Sequence, residues 1–462
     1  MKKGTCILLV YAILMTFLVV APFTANANEK DITASGDGVT SGTTGDCTWK
    51  IEDEVLTISG NGAMKNYNGY GDAPWHFTKF TEAVIEDGVI NIGAYAFNGC
   101  ENLTTINISD SVTSIGSSAF EYSTCLSSID IPDSITYIGS NAFNDTLWFK
   151  NQPDGLIYVG KVAYRMKGSY PTEVKIKDGT VSITDSAFFD CRSLTTIDIP
   201  ESVTYIGNNA FRNCWNLASI EIPNSVTSIG KQAFYYCSKL TSATIGNSVM
   251  SIGSYAFYDC KNITSIEIPD SVTSIGDYAF SAIENLTKAT IGNSVTSIGS
   301  YAFKDCKNLK DVIIGNSIIS IGNTIFSGCS GLASLTIGDS VEDIASRAFY
   351  NCTELKSVTI PATVTDIYEK AFGYYEKEGF GEAKIKDFTI YGYTGSEAQN
   401  YATNNNFTFV ALDEEPTEPT TQIIRGDTDG DGIVTVIDST MIQRYLAGLE
   451  IPVENIGEPI VK

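Results

Sequence analysis

Near the C-terminus, the run Asp427-Thr428-Asp429-Gly430-Asp431-Gly432-Ile433-Val434-Thr435-Val436-Ile437-Asp438 sets carboxylates at alternate positions and closes on a fourth. This spacing suits a twelve-residue calcium loop. Asp427, Asp429 and Asp431 at positions 1, 3 and 5 bring hard oxygens to one cation, and Gly432 at position 6 permits the sharp turn. The Ile433 carbonyl serves position 7, Thr435 sits at position 9, where the ligand is often a water, and Asp438 at position 12 completes the shell. A plain Asp/Gly turn is the rival reading. Against it stand Val434 and the segment Ser439–Gly448, which places Met441, Ile442, Tyr445 and Leu446 on one side of a short helix and leaves Gln443 and Arg444 exposed. Ca2+ is the cofactor to which these residues point.

Eleven cysteines accompany a single histidine, His76. One histidine argues against catalytic triads and against His-based zinc sites. Eight of the cysteines (Cys100, Cys191, Cys214, Cys237, Cys260, Cys306, Cys329 and Cys352) stand three residues after a recurring Phe, and Ile283 takes the same place once. A position that accepts Cys or Ile reads as a small core slot holding a free thiol; disulfides and a metal site are the alternatives. Cys47 and Cys125 lie off this column. Carboxylate pairs for glycoside cleavage are plentiful, but a regular repeat offers no cleft in which to raise the pKa of one member.

The elements that carry these residues repeat. Phe97, Phe120 and Phe143 are 23 apart, as are Phe188, Phe211, Phe234, Phe257, Phe280, Phe303, Phe326, Phe349 and Phe372. Nearly all follow an Ala, and the one break, Phe143 to Phe188, spans 45 residues. A fixed period of this size means a solenoid of stacked coils. Counting from each Phe, large aliphatics fall at +6, +9, +11, +15 and +18, as in Leu217, Ile220, Ile222, Val226 and Ile229. The +9/+11 alternation is that of a strand with one buried face. Pro or Gly at +12 (Pro223, Gly246, Pro269) and Gly at +19 (Gly230, Gly253, Gly276) mark corners. The expected fold is mainly β: a β-solenoid of 23-residue coils, each with two short strands and an irregular Ala-Phe turn, plus a small α calcium loop-helix at the C-terminus. Positions +8 and +10 then face outward, which makes Asp130, Asp198, Glu221 and Glu267 the ligand-face candidates. Tyr255, Tyr278 and Tyr301 at +21 read as half-packed edge residues or, alternatively, as a sugar platform.

The string Leu-x-x-Ile-x-Ile-Pro-x-Ser-Val-x-x-Ile-Gly-x-x-Ala-Phe resembles the BspA-like leucine-rich repeat. On that resemblance residues 82–375 are the repeats, with an insertion at 147–180, residues 28–81 an N-terminal cap and 376–412 a C-terminal cap. Caps are required physically, since an open terminal coil exposes strand edges and core side chains. Residues 413–425, with Glu414-Glu415-Pro416-Thr417-Glu418-Pro419, read as an extended linker. Residues 426–462 are similar to the first repeat of a type I dockerin, an EF-hand-like module. The resemblance implies a cohesin module of a scaffoldin as partner, with Val436, Ile437, Gln443 and Arg444 contributing to its recognition. Dockerins carry two such loops, so a second is expected just beyond Lys462.

Lys2-Lys3, the apolar run Cys6 to Val20 and Ala25-Asn26-Ala27 follow the order of a secretory signal, assigning 1–27 to a cleaved leader; a retained anchor is the alternative. No transmembrane segment is expected in the mature chain. Lys and Arg total 30 against 54 Asp and Glu, a net charge of −24 that repels phosphate backbones and excludes nucleic acid as a partner. The sequence thus reads as a secreted, non-catalytic binding protein: a repeat array with an unknown protein or carbohydrate ligand on its sheet, recruited through a dockerin to a cellulosome-type scaffold. The alternatives are a cell-surface adhesin or antigen that binds host or bacterial proteins, and an accessory component of polysaccharide degradation.

Overall fold

A computed structural model describes residues 40–377 and 379–413. The expected leader, the calcium loop-helix and, apart from Asp413, the linker lie outside the described residues. The chain divides into two compact units at Val249/Met250.

The first unit opens with an antiparallel meander, Ser41–Thr44, Cys47–Glu52 and Val55–Gly60. Val55–Gly60 then pairs in parallel with Glu82–Ile85, which pairs with Thr105–Ile108, and that with Ser128–Asp130. The meander thereby covers the first coil. Trp75, fully buried, donates its indole N–H to the Ala96 carbonyl at 2.8 Å and packs 5.8 Å from Phe97, closing the phenylalanine column from that end.

One coil shows why the residues repeat. In Ser219–Glu221 the side chains at +8 and +10 are exposed and Ile220 is buried; a second strand, Ser228–Ile229, completes the coil. Outside the insertion the coils of the repeats pair in parallel with a 23-residue offset, as in Ser219↔Ser242 and Ile220↔Ala243. The polar residues between the strands serve the same stacking. Ser225 donates Oγ–H to the Val203 carbonyl at 2.6 Å, and Asn224 Oδ1 accepts the Asn247 amide at 2.8 Å. Gly116 at +19 is required by close approach, since a Cβ there would meet Ala94 N at 2.3 Å.

The Ala-Phe turn is as regular as the strands. Residues two before and two after Phe adopt left-handed backbone, as in Asn209 (φ 54°) and Asn213 (φ 62°) around Phe211. Alternate amides then point the same way. Tyr95, Phe97 and Gly99 donate to the carbonyls of Ser117, Ala119 and Glu121 in the following coil, and Phe188, Phe211, Phe257 and Phe349 repeat the middle bond at 2.7–2.9 Å. Their rings stack at 5.2 and 5.3 Å along Phe97–Phe120–Phe143 and at 4.9 and 5.2 Å along Phe188–Phe211–Phe234.

The 45-residue break holds a hairpin. Gly155–Val159 pairs antiparallel with Val162–Lys167, and the latter pairs in parallel with Ser182–Ile183. Ala163-Tyr164 stands in the core where an Ala-Phe pair would: Tyr164 is 2% exposed, 5.4 Å from Phe143, and its hydroxyl accepts the Phe143 amide at 3.0 Å. A short helix, Leu147–Asn151, precedes it, capped by Thr146.

The second unit repeats the same coil. Ser265–Ile268, Lys288–Ile291, Asp311–Ile313 and Ser334–Thr336 form one parallel sheet, and the rings of Phe257 to Phe349 stack pairwise on to Phe372 at 4.7–5.3 Å. Its end is built differently. A hairpin, Tyr374–Lys377 with Gly381–Lys384, leaves the ladder. Ser357–Thr359 pairs with Thr389–Gly392 and that with Thr408–Ala411. Between the last two strands runs a helix, Glu397–Asn404, that the sequence reading did not anticipate; it buries Ala398, Tyr401 and Ala402 over the end of the column.

Candidate binding surfaces

The strand face has the alternation expected of it. Asp130, Asp198 and Glu221 in the first unit and Glu267 in the second are all exposed at +10. They are not one hydrogen-bonded acidic row: the first three lie in separate sheets, ending at Ser128–Asp130, Thr196–Asp198 and starting at Ser219–Glu221. Asp198 also pairs with Lys175 at 3.2 Å, an exposed ion pair of small energetic weight. Around them the face is largely Ser and Thr. Thr195 and Thr241, at +7, donate their hydroxyls to the +7 carbonyl of the preceding coil at 2.8 and 3.0 Å.

Among the described residues the cysteines form no disulfide and are mostly enclosed. Cys191, Cys214 and Cys237 in the first unit, and Cys260, Cys306, Cys329 and Cys352 in the second, are at most 2% exposed. Burial pushes the Cys100 thiol up to about 12 and raises Cys237 and Cys352 as well. Cys47 is enclosed in the N-terminal meander, whereas Cys125 is exposed. Among the described residues no three His, Cys, Asp or Glu side chains are grouped so as to hold a metal ion. The proposed calcium ligands Asp427, Asp429, Asp431, Ile433, Thr435 and Asp438, and Val436, Ile437, Gln443 and Arg444, lie outside the described residues.

Tyr255, Tyr278 and Tyr301 form a half-buried column in the second unit, stacked at 4.7 and 4.6 Å. Each ring of such a stack covers the face of its neighbour, so the central ring has no face left for a sugar.

A further surface escaped the sequence reading. On the Ala-Phe turns of the first unit, Phe189 and Trp215 are each 40% exposed and Tyr236 38%. Arg192 lies 4.2 Å over Trp215, and Arg212 lies 4.7 Å from the Tyr235 ring and 5.9 Å from Phe189. These residues sit at +1, +2 and +4, positions without a periodic pattern. The available signal was compositional, three arginines close after three successive core aromatic positions.

The BspA type leucine rich repeat region, in six copies, matches residues 71–165, 158–282 and 250–378. No curated protein matches the chain. Among solved structures it is similar to a leucine-rich repeat protein from Bacteroides ovatus, at 26% identity over 79% of this chain and 98% of that one, with a TM-score of 0.46. It is similar to a leucine rich cell surface protein from Faecalibacterium prausnitzii at 26% identity, over 82% and 100% of the two chains, with a TM-score of 0.35. A leucine-rich repeat protein from Eubacterium ventriosum matches at 23% identity over 75% and 100%, with a TM-score of 0.33. With its 23-residue coils, its stacked phenylalanines and a family match over most of its length, the chain belongs to the BspA-type leucine-rich-repeat proteins.

Proposed function

We propose that this protein is an exported, non-catalytic binding protein whose repeats present a surface to a protein partner, as an adhesin or surface antigen does. The observation that carries this reading is the contrast within each coil. The buried Ile, Leu and Phe hardly change, while the exposed +10 position runs through Asn107, Asp130, Asp198, Glu221 and Thr244. A scaffold that holds its core constant and varies its exposed side chains suits recognition, the usual role of stacked-repeat surfaces. The leader-like residues 1–27 support export, and among the described residues no helix is long and apolar enough to cross a membrane. The test is binding of the fluorescently labelled protein to intact host or bacterial cells before and after protease shaving of those cells. Loss of binding after shaving is expected; unchanged binding removes the protein partner.

A second reading, recruitment to a scaffold, is favoured by one specific feature, the loop Asp427 to Asp438 with Gln443 and Arg444 beyond it. In it, calcium held by the loop orders the following helix for a cohesin module. Capture on an immobilised type I cohesin is expected with calcium and is lost with chelator. Failure of capture once a second loop is appended after Lys462 would rule this reading out.

A further inference from the structure

Arginine is scarce in this chain, and three of the four arginines among the described residues lie in the first unit: Arg165 in the hairpin strand Val162–Lys167, and Arg192 and Arg212 on the Ala-Phe turns. Two of them are held without carboxylates. Arg165 Nη1 donates to Oδ1 of Asn141 (2.9 Å) and of Asn144 (2.8 Å). Arg212 Nη1 donates to Gln232 Oε1 (2.8 Å) and Asn209 Oδ1 (3.3 Å), while its Nε is buried with no acceptor. Amide oxygens fix a guanidinium in place but leave its charge uncompensated. In a chain with 54 acidic residues to 30 basic ones, acidic partners were abundant, and none is used here.

Arg192 spends only Nε, on Asp190 at 3.0 Å, and its side chain is 55% exposed. The guanidinium over the Trp215 face leaves the edge of this exposed ring for solvent, and edges carry the positive end of the aromatic quadrupole. The same stacking withholds the flat faces on which a sugar would sit. Trp, Tyr and Arg together are also the residues most often found as anchors of protein interfaces.

We propose that the surface formed by the Ala-Phe turns and the adjoining hairpin strand, with Arg165, Phe189, Arg192, Arg212, Trp215 and Tyr236, docks an acidic peptide segment of a protein partner. Its carboxylates take the unused guanidinium N–H groups, and its neighbouring side chains pack against the ring edges. This rests on the reading of the protein as a partner-binding one, and it moves the contact from the strand face to the Ala-Phe turns.

The test uses the full chain and a fluorescein-labelled peptide of ten glutamates, followed by anisotropy. Binding is expected in low-salt buffer, weakened roughly tenfold or more by about 0.5 M salt. Arg165→Gln with Arg212→Gln is expected to weaken it by a similar factor, and Lys50→Gln with Lys79→Gln, which removes the same charge at exposed positions of the N-terminal cap, to leave it unweakened. Should the double arginine variant fail to fold, Arg192→Gln, at an exposed position, reads the same effect. No peptide binding, equal binding by the arginine variants, or tighter binding of polygalacturonate than of the peptide overturns the proposal. If the arginine variants still bind cells in a protease-sensitive way, the docking site alone is wrong. If the wild-type protein shows no protease-sensitive cell binding, the reading beneath it fails.

Discussion

Cys214, Cys237, Cys306, Cys329 and Cys352 each donate the thiol hydrogen to the carbonyl of the Phe 26 residues earlier, at 3.1–3.3 Å. Ser123 makes the same bond with its hydroxyl at 2.6 Å to Phe97, while Ile283 fills the slot with no donor at all. The +3 position therefore selects for small volume first and a hydrogen second. The sequence shows the volume plainly through the Cys/Ile exchange. It hides the bond, because a cysteine column looks the same with or without one; Ser123 was the clue.

Burial keeps the Cys100, Cys237 and Cys352 thiols protonated, with a consequence for alkaline stability. Cys100 titrates near 12 in the folded chain against a reference of 9.0. Its contribution is fully present below pH 9 and is lost as pH rises through that window, because only the unfolded chain sheds the proton. The loss approaches about 1.4 kcal/mol per pH unit. Denaturant titrations at rising pH should show wild type losing stability faster than Cys100→Ser. Parallel decline of the two would refute the assignment.

At the scale of the element, the break in the phenylalanine column and its C-terminal end each meet a tyrosine. Tyr164 at the hairpin and Tyr401 on the C-terminal helix each accept a Phe amide, from Phe143 at 3.0 Å and Phe372 at 3.1 Å, and Tyr401 returns its hydrogen to the Phe372 carbonyl at 3.0 Å. A buried amide without an acceptor costs about 1–3 kcal/mol. Tyr401→Phe is therefore expected to destabilise the second unit by about that much and to speed hydrogen exchange at the Phe372 amide. An unchanged melt with unchanged exchange would contradict it. The strands and corners were legible because Ile, Pro and Gly recur at fixed offsets. The helix Glu397–Asn404 was not, since it occurs once and its face is marked only by Ala398, Tyr401 and Ala402. Left-handed positions were half legible: Asn209 and Asp190 advertise them, whereas Tyr278 and Ala282 occupy the same backbone without any such preference.

For the molecule as a whole, stability in a stacked-repeat protein is close to a sum over coils and the contacts between neighbours. Excising residues 281–303 joins Phe280 to Lys304 in the frame of one coil and should leave a folded protein with a modestly lower melting temperature. Excising twelve residues from the same place shifts +9 and +11 off the core and should abolish cooperative melting of the second unit. Circular dichroism melts of the two deletions separate these outcomes. The period that makes this prediction possible was readable from one column of phenylalanines. The arginine-bearing turns were not, because recognition uses the positions where the repeat is free to vary, and a pattern search discards variation.

The one-way amides of the Ala-Phe turn impose an order on synthesis. A turn emerging from the ribosome, such as that of Phe211, keeps its Asn209, Phe211 and Asn213 amides unmet until Lys231, Ala233 and Tyr235 have followed. Growth always leaves the newest coil the least finished, and the tyrosine of the closing helix, translated after all the coils, is what releases the final one from waiting.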